Sequence, residues 1–151
     1  MFLAVWIVDS FIITYSTFLN NYVPIYIRVP IAIVFLFLSG YVAKTGLDIV
    51  FGETRETPGV VSKGIFGVVR HPIYLGSILF YLALLLLSIS ISAAIVWLII
   101  IGFYHYLALY EEKLLVKKFG TEYTEYMKKV PMWLPKTRIN TNRTRTGTIK
   151  N

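Results

Sequence analysis

The chain contains no cysteine. Disulfides, thiolate nucleophiles and thiolate-held metals are therefore excluded. Histidine is almost as scarce, with only His71 and His105; two imidazoles without further donors make a poor metal site. Charge is sparse too, at 15% of residues, and only 8 of 151 residues are acidic. The first apolar run has no basic stretch before it and no small-residue cleavage site after it, so Phe2 to Leu19 reads as a retained span and not as a cleaved signal. No internal repeat is visible.

Apolar residues fill the space these absences leave. They make up 56% of a chain of one-domain length, and the mean hydropathy is +0.66. A water-soluble domain of this size cannot hide that much apolar surface, so lipid must solvate part of it. Tyr22, Tyr26, Tyr41, Tyr104, Tyr106 and Tyr110 stand near segment ends, where amphipathic rings favour the membrane interface. In that setting the net charge of +7 marks topology and contact with anionic lipid, not nucleic acid.

The expected fold is an all-α integral membrane protein with about four transmembrane helices and a cytosolic C-terminal helical segment. The first span is Phe2 to Leu19, interrupted by Asp9. The second runs from about Val29 to Val42, and on to Phe51 at its longest, with Pro30 in its first turn. The tract Ile73 to Tyr110 has no charge other than a protonated His105. As one helix it would be roughly 57 Å long at ~1.5 Å per residue, about twice the hydrocarbon thickness. It must fold back, and Ser88-Ile89-Ser90-Ile91-Ser92 is the natural turn because hydroxyls can satisfy freed backbone groups.

Basic residues set the orientation. Lys44, Arg55, Lys63 and Arg70 lie between the second and third spans, and ten more follow Tyr110; Arg28 alone lies between the first two spans. The positive-inside rule puts the Lys44–Arg70 loop and both termini in the cytosol. Beyond Tyr110, Leu115, Phe119, Tyr123, Tyr126, Met127 and Val130 recur at helical spacing. Gly120 interrupts them, Thr121 can cap a new helix, and Pro131 and Pro135 end it. The membrane domain is read as residues 1–136. Residues 137–151, rich in Thr, Asn and Arg, read as a disordered or lipid-adhering tail.

Two clusters can carry chemistry. Before the third span the chain reads Gly64-Ile65-Phe66-Gly67-Val68-Val69-Arg70-His71-Pro72-Ile73-Tyr74-Leu75-Gly76. Pro58, Gly59, Gly64 and Gly67 permit tight turns and close backbone approach to a ligand. Pro72 biases His71 toward extended backbone. Arg70 offers a planar fork for a carboxylate or phosphate, and His71 can donate or accept a hydrogen bond; both also suit a plain headgroup anchor. Glu111 and Glu112 form the second cluster, on the same side of the membrane. They can orient a ligand, pair with Arg70, or simply face solvent. Asp9 reads as a structural acid among Ser10, Thr14 and Ser16, and His105 as a packing or hydrogen-bonding residue toward a neighbouring helix.

These residues resemble a known family. Gly64-x-Phe66-x-x-Val69-Arg70-His71-Pro72-x-Tyr74-x-Gly76 is similar to the first motif of the isoprenylcysteine carboxyl methyltransferases and their phospholipid N-methyltransferase relatives. Glu111-Glu112-x-x-Leu115-x-x-x-Phe119-Gly120-x-Glu122-Tyr123-x-Glu125-Tyr126-x-Lys128-Lys129-Val130-Pro131, with Leu134-Pro135, resembles their C-terminal motif. The resemblance implies an S-adenosylmethionine-dependent membrane methyltransferase, with the cofactor held at the cytosolic end of the hairpin. One wall would be Gly64, Phe66, Arg70, His71, Pro72, Tyr74 and Gly76. The other would be Glu111, Glu112, Leu115, Phe119, Tyr123 and Tyr126. Arg70, His71, Glu111 and Glu112 are the implied catalytic residues, and no metal is involved. The implied acceptor is lipophilic, a prenylcysteine carboxylate first and a phospholipid amine second. Members often carry an Arg one turn before the Glu pair where this chain has Leu107, and that leaves the acceptor open. An NADPH-dependent membrane reductase and a non-catalytic adaptor are the readings from other classes.

Overall fold

The computed structural model describes residues 1–52 and 59–135. Arg55, Pro58 and the tail expected after Thr137 lie outside them. The described residues form helices α1 (Phe2–Ile7, continued as a π-helical turn Val8–Ile13), α2 (Ile25–Gly52), α3 (Pro72–Leu87), α4 (Ile91–Phe119) and α5 (Thr121–Lys129). Short 3-10 turns at Phe18–Asn21 and Gly64–Gly67 join them.

Helices α2 and α4 are long and apolar enough to cross a membrane, and little of either is buried, 22% and 11% of their most apolar stretches. At ~1.5 Å per residue they extend roughly 42 and 44 Å, more than a ~30 Å hydrocarbon layer. The other two apolar segments are shorter, and of these only the first falls short of the bounds expected for it. Helix α3 covers roughly 24 Å by the same rise. The first segment does not run from Phe2 to Leu19: Thr14 takes a left-handed conformation (φ +52°), and its N–H closes the π turn onto the Asp9 carbonyl at 2.8 Å. A β-branched residue at positive φ ends the helix. Phe2 packs on Tyr81, Leu85 and Ala93, so α1 accompanies only the half of the hairpin nearest its turn.

The second helix begins four residues earlier than expected. The Pro24 carbonyl accepts from the Ile27 and Arg28 amides, so Pro24 opens the helix and Pro30 sits inside it, not in its first turn.

The hairpin turn falls at the serines, as the length argument required. Ser90 caps α4, its Oγ accepting from the Ala93 amide at 3.1 Å. The serines do not satisfy the turn alone. Asn20 Oδ1 accepts from the Ile89 amide at 2.9 Å, Arg28 Nη1 donates to the Leu87 carbonyl at 2.9 Å and to Asn20, and the Ser16 carbonyl accepts from the Ile91 amide at 3.3 Å. Buried Asp9 accepts from the Ser16 amide and from the hydroxyls of Ser16 and Ser90. The residues after α1 thus close the backbone accounts of the turn, as a low-dielectric setting demands.

Small residues bring α2 and α3 together. A Cβ on Gly76 would meet that of Ala43 at 2.9 Å, and one on Gly46 would meet Ile73 at 3.0 Å. Ser39 Oγ donates to the Gly76 carbonyl at 2.8 Å across the same seam. Trp97 of α4 donates to the Ile78 carbonyl at 3.0 Å, tying α4 to α3.

A second, separate core lies past the end of α4. Tyr123, Tyr126 and Val130 are buried with Val60, Leu115 and Phe119 around them. Gly120, with φ +57° and ψ −123°, makes the corner into α5 and is itself the N-cap, so Thr121 is the first helical residue and not the cap expected of it.

Candidate active site

Pro72 fixes the start of α3, and His71 becomes its N-cap with φ −123° and ψ 63°. From this non-helical position the imidazole reaches Glu112 on α4, while its ring lies parallel to Tyr74 of α3. On α4, Glu111 and Glu112 lie at the level of His71. Glu112 is buried, and its Oε1 lies 3.0 Å from His71 Nε2 and 3.1 Å from Arg70 Nη1. Glu111 is different: its side chain is 47% exposed, it accepts from the Tyr74 hydroxyl at 3.1 Å, and its Oε2 stands 3.8 Å from His71 Nδ1. The adjacent carboxylates therefore divide. One is consumed in a buried ion-pair cluster, and the other is presented outward.

Arg70 is held by its backbone, whose N–H donates to the Pro131 carbonyl at 3.0 Å. Among the described residues its guanidinium has no aligned hydrogen-bond acceptor on buried Nε or Nη1; the contact with Glu112 is close but out of line. Such donors normally find an acceptor when buried, so this side chain has hydrogen-bonding capacity to spare.

A cavity of about 400 Å³ opens beside these groups. From the first wall expected, Phe66, Arg70, His71, Pro72 and Tyr74 line it; from the second, Glu111, Leu115, Phe119, Tyr123 and Tyr126 do. Three residues expected on the walls stand elsewhere. Gly76 is spent on the α2–α3 seam against Ala43. Gly64, at φ +56°, makes room for Ile49, whose Cδ1 would be 2.7 Å from a Cβ there. Glu112 sits behind His71 and Arg70 and not on the cavity surface.

The cavity also has lining expected on neither wall: Val50, Val60, Val61, Ile73 and Lys118, together with Gly59, which the sequence marked only for close backbone approach to a ligand. Lys118 was findable, because Glu111, Leu115, Lys118 and Phe119 follow the i, i+4, i+7, i+8 pattern of one helical face. The valines came with no local signal; the end of α2 brings in Val50, and the loop before Gly64 brings in Val60 and Val61. Two side-chain bonds hold that loop over α5. Tyr126 Oη donates to the Phe66 carbonyl at 2.7 Å, and Glu122 Oε1 accepts from the Val60 amide at 3.2 Å. Burial pushes the Tyr126 phenol up to about 12, with Glu112 adding to the rise and Arg70 opposing it. Burial likewise raises Tyr123, with Glu112 reinforcing it. Both phenols stay neutral donors through the physiological range.

The remaining candidates fall outside the cavity. Asp9 belongs to the turn network described above. His105 bonds not to a helix but to Trp133, in the segment after α5. Leu107 is half-buried on α4 and does not line the cavity.

The base of the helical hairpin thus brings a cation, an imidazole and one outward carboxylate to a single cavity, with the second carboxylate behind them. Residues 25–122 match the phospholipid methyltransferase family, and the chain belongs to that family. It is also similar to the protein-S-isoprenylcysteine O-methyltransferase of Schizosaccharomyces pombe, with 31% identity over 113 residues, covering 69% of this chain and 48% of the relative. The chain thus spans about half the length of that curated relative. No solved structure matches.

Proposed function

We propose that the protein is an S-adenosylmethionine-dependent membrane methyltransferase, and that its acceptor is the carboxylate of an isoprenylcysteine-like lipid. Four apolar segments lie in the bilayer in this reading. The serine turn faces one side, and the Lys44–Arg70 loop, α5 and the C-terminus face the cytosol, with α1 starting toward the cytosolic face and ending at the turn. The single observation that carries the reading is the convergence of Arg70, His71 and Glu111 on one cavity of about 400 Å³.

The residues fit the cofactor. Arg70, a cation lining the cavity, suits the carboxylate of its amino-acid moiety. Phe66, Tyr74 and Tyr126 supply aromatic faces, which together with Glu111 suit an aromatic base and a sulfonium. When bound, S-adenosylmethionine supplies an electrophilic methyl group.

The protein's own task is alignment and exclusion of water, not strong acid–base chemistry. The Glu112–His71–Arg70 cluster fixes the base of α3 against α4. Glu111 and the hydroxyl of Tyr74 face the reacting space as one hydrogen-bonded unit. A carboxylate acceptor loses no proton on methylation. A phospholipid amine does lose one, and this second reading has an observation in its favour: Glu111 is a half-exposed carboxylate able to take that proton, and Leu107 replaces a cation that a carboxylate acceptor would use.

The test is calorimetry in detergent micelles with S-adenosylhomocysteine and, separately, NADPH. Binding of the first is expected. Binding of NADPH alone would assign a reductase, and binding of neither would leave a non-catalytic membrane protein. Transfer of tritiated methyl to S-farnesylcysteine or to phosphatidylethanolamine then separates carboxyl from amine chemistry.

A further inference from the structure

Trp133 and His105 take no part in the cavity, yet they are joined to each other and to the site. The Trp133 indole N–H donates to His105 Nδ1 at 3.2 Å. The Trp133 ring lies 6.0 Å from His71 and 6.3 Å from His105, centroid to centroid. His105 precedes Glu112 by seven residues on α4, and Tyr104 precedes Glu111 by the same interval. Seven residues return to the same helical face about 10 Å farther along the axis. Two rings, Tyr104 and His105, therefore stand on the membrane side of the carboxylate pair, directly above it. Tyr104 stacks on Tyr74 at 5.1 Å, and Tyr74 lies parallel to His71 at 5.6 Å. The segment after α5, anchored where the Arg70 amide meets the Pro131 carbonyl, carries Trp133 up to this band.

We propose that Trp133, locked in place by His105, is the acceptor-positioning residue: it forms the membrane-side wall along which the head of a lipophilic methyl acceptor reaches His71 and Glu111. The proposal rests on the methyltransferase reading above. A cofactor of that reading is polar and reaches the cavity from the loop and α5 side. An acceptor with an apolar tail must keep that tail in lipid and bring only its head to Glu111. The rings of Tyr104, Tyr74 and Trp133 line that approach, and flat amphipathic rings suit the boundary between tail and head. The bond to His105 supplies what packing alone does not, a fixed tilt of the indole. It requires an imidazole whose Nδ1 carries no proton. Trp133 is a positioning residue: it guides the body of the acceptor and takes no part in the methyl transfer itself.

The test uses the full chain in mixed lipid–detergent micelles, with Trp6→Phe and Trp97→Phe so that Trp133 is the sole indole. S-farnesylcysteine and dioleoylphosphatidylethanolamine are titrated separately, and S-adenosylhomocysteine affinity is measured alongside. Trp133 emission is expected to change saturably with one of the two lipids. His105→Phe is expected to raise that half-saturation about fivefold, the worth of one neutral hydrogen bond. His105→Asn, whose Oδ1 can accept in place of Nδ1, is expected to restore it. S-adenosylhomocysteine affinity stays unchanged throughout. If the reporter does not fold, the same two His105 variants are compared by acceptor KM in the chain with all its tryptophans. Emission silent to both lipids, an unchanged half-saturation or KM in His105→Phe, or no recovery in His105→Asn overturns the proposal while S-adenosylhomocysteine still binds. Failure of S-adenosylhomocysteine to bind overturns the methyltransferase reading instead.

Discussion

Replacing Glu112 with Gln isolates the electrostatics of the site at nearly constant volume. Glu112 is 4% exposed and has two cationic or protonatable neighbours at 3.0 and 3.1 Å. The amide oxygen of Gln can still accept from His71, so the packing and one hydrogen bond survive. What is lost is the negative charge facing Arg70, whose Nε and Nη1 find no aligned acceptor among the described residues. An uncompensated buried cation of this kind costs about 3 kcal/mol, a shift of roughly two orders of magnitude in the folding equilibrium. Equilibrium unfolding in detergent micelles, followed by circular dichroism, reads the change directly. The double variant Arg70→Met/Glu112→Leu removes both charges and is expected to recover stability to within about 1 kcal/mol, while abolishing S-adenosylhomocysteine binding. That pairing of results would locate the value of the charges in ligand recognition. A loss below about 1 kcal/mol in Glu112→Gln alone would refute the argument, because the cluster would then be solvated or unneeded.

Three further outcomes follow from other parts of the fold. Gly76→Ala places a methyl 2.9 Å from the Ala43 Cβ and 3.2 Å from its backbone; pushing α2 and α3 apart is expected to cost about 1–3 kcal/mol in the same unfolding assay, and a neutral result would mean that the seam is loose. Asp9→Ala strips acceptors from the Ser16 amide and the Ser16 and Ser90 hydroxyls; a loss of about 2 kcal/mol is expected, with ligand affinity preserved if the network serves only the turn. Tyr126→Phe removes the bond to the Phe66 carbonyl and is expected to raise proteolytic cleavage in the Val60–Phe66 region. Burial of the same phenol sets an alkaline limit. The phenol titrates near 10 when unfolded and at about 12 in place, so its contribution is complete below pH 10 and is lost as pH rises from 10 to 12. Wild-type and Phe variants should converge in stability over that window, and parallel curves would contradict the assignment.

The membrane-compatible helices, the fold-back at the serines and the helix restart after Gly120 were legible because each follows from local rules: apolar run length, backbone satisfaction and glycine conformation. The meeting of Arg70 and His71 with the glutamate pair was legible in outline, since a hairpin folded at Ser88–Ser92 returns residue 111 to the level of residue 71. The first segment was misread because Thr14 carries no sign of its left-handed backbone in an otherwise apolar stretch. Pro30 was taken for a helix start because the role of Pro24 depended on which carbonyl the Ile27 and Arg28 amides would find. Gly76 was assigned to the ligand because a glycine beside a site serves equally well for ligand or helix contact, and only the approach of Ala43 decides between them.

The sequence by itself determined that this chain is apolar enough for lipid, doubles back once within its longest apolar tract, and carries its candidate site residues at the basic end. Those are consequences of composition and spacing, which act along the chain. The tertiary structure alone decided that Glu112 is consumed by Arg70 and His71 while its neighbour Glu111 stays outward, and that Trp133 reaches back to His105. Adjacent residues on a helix point about 100° apart, so two identical glutamates acquire different chemistry only once a second helix and a returning segment are packed against one of their faces.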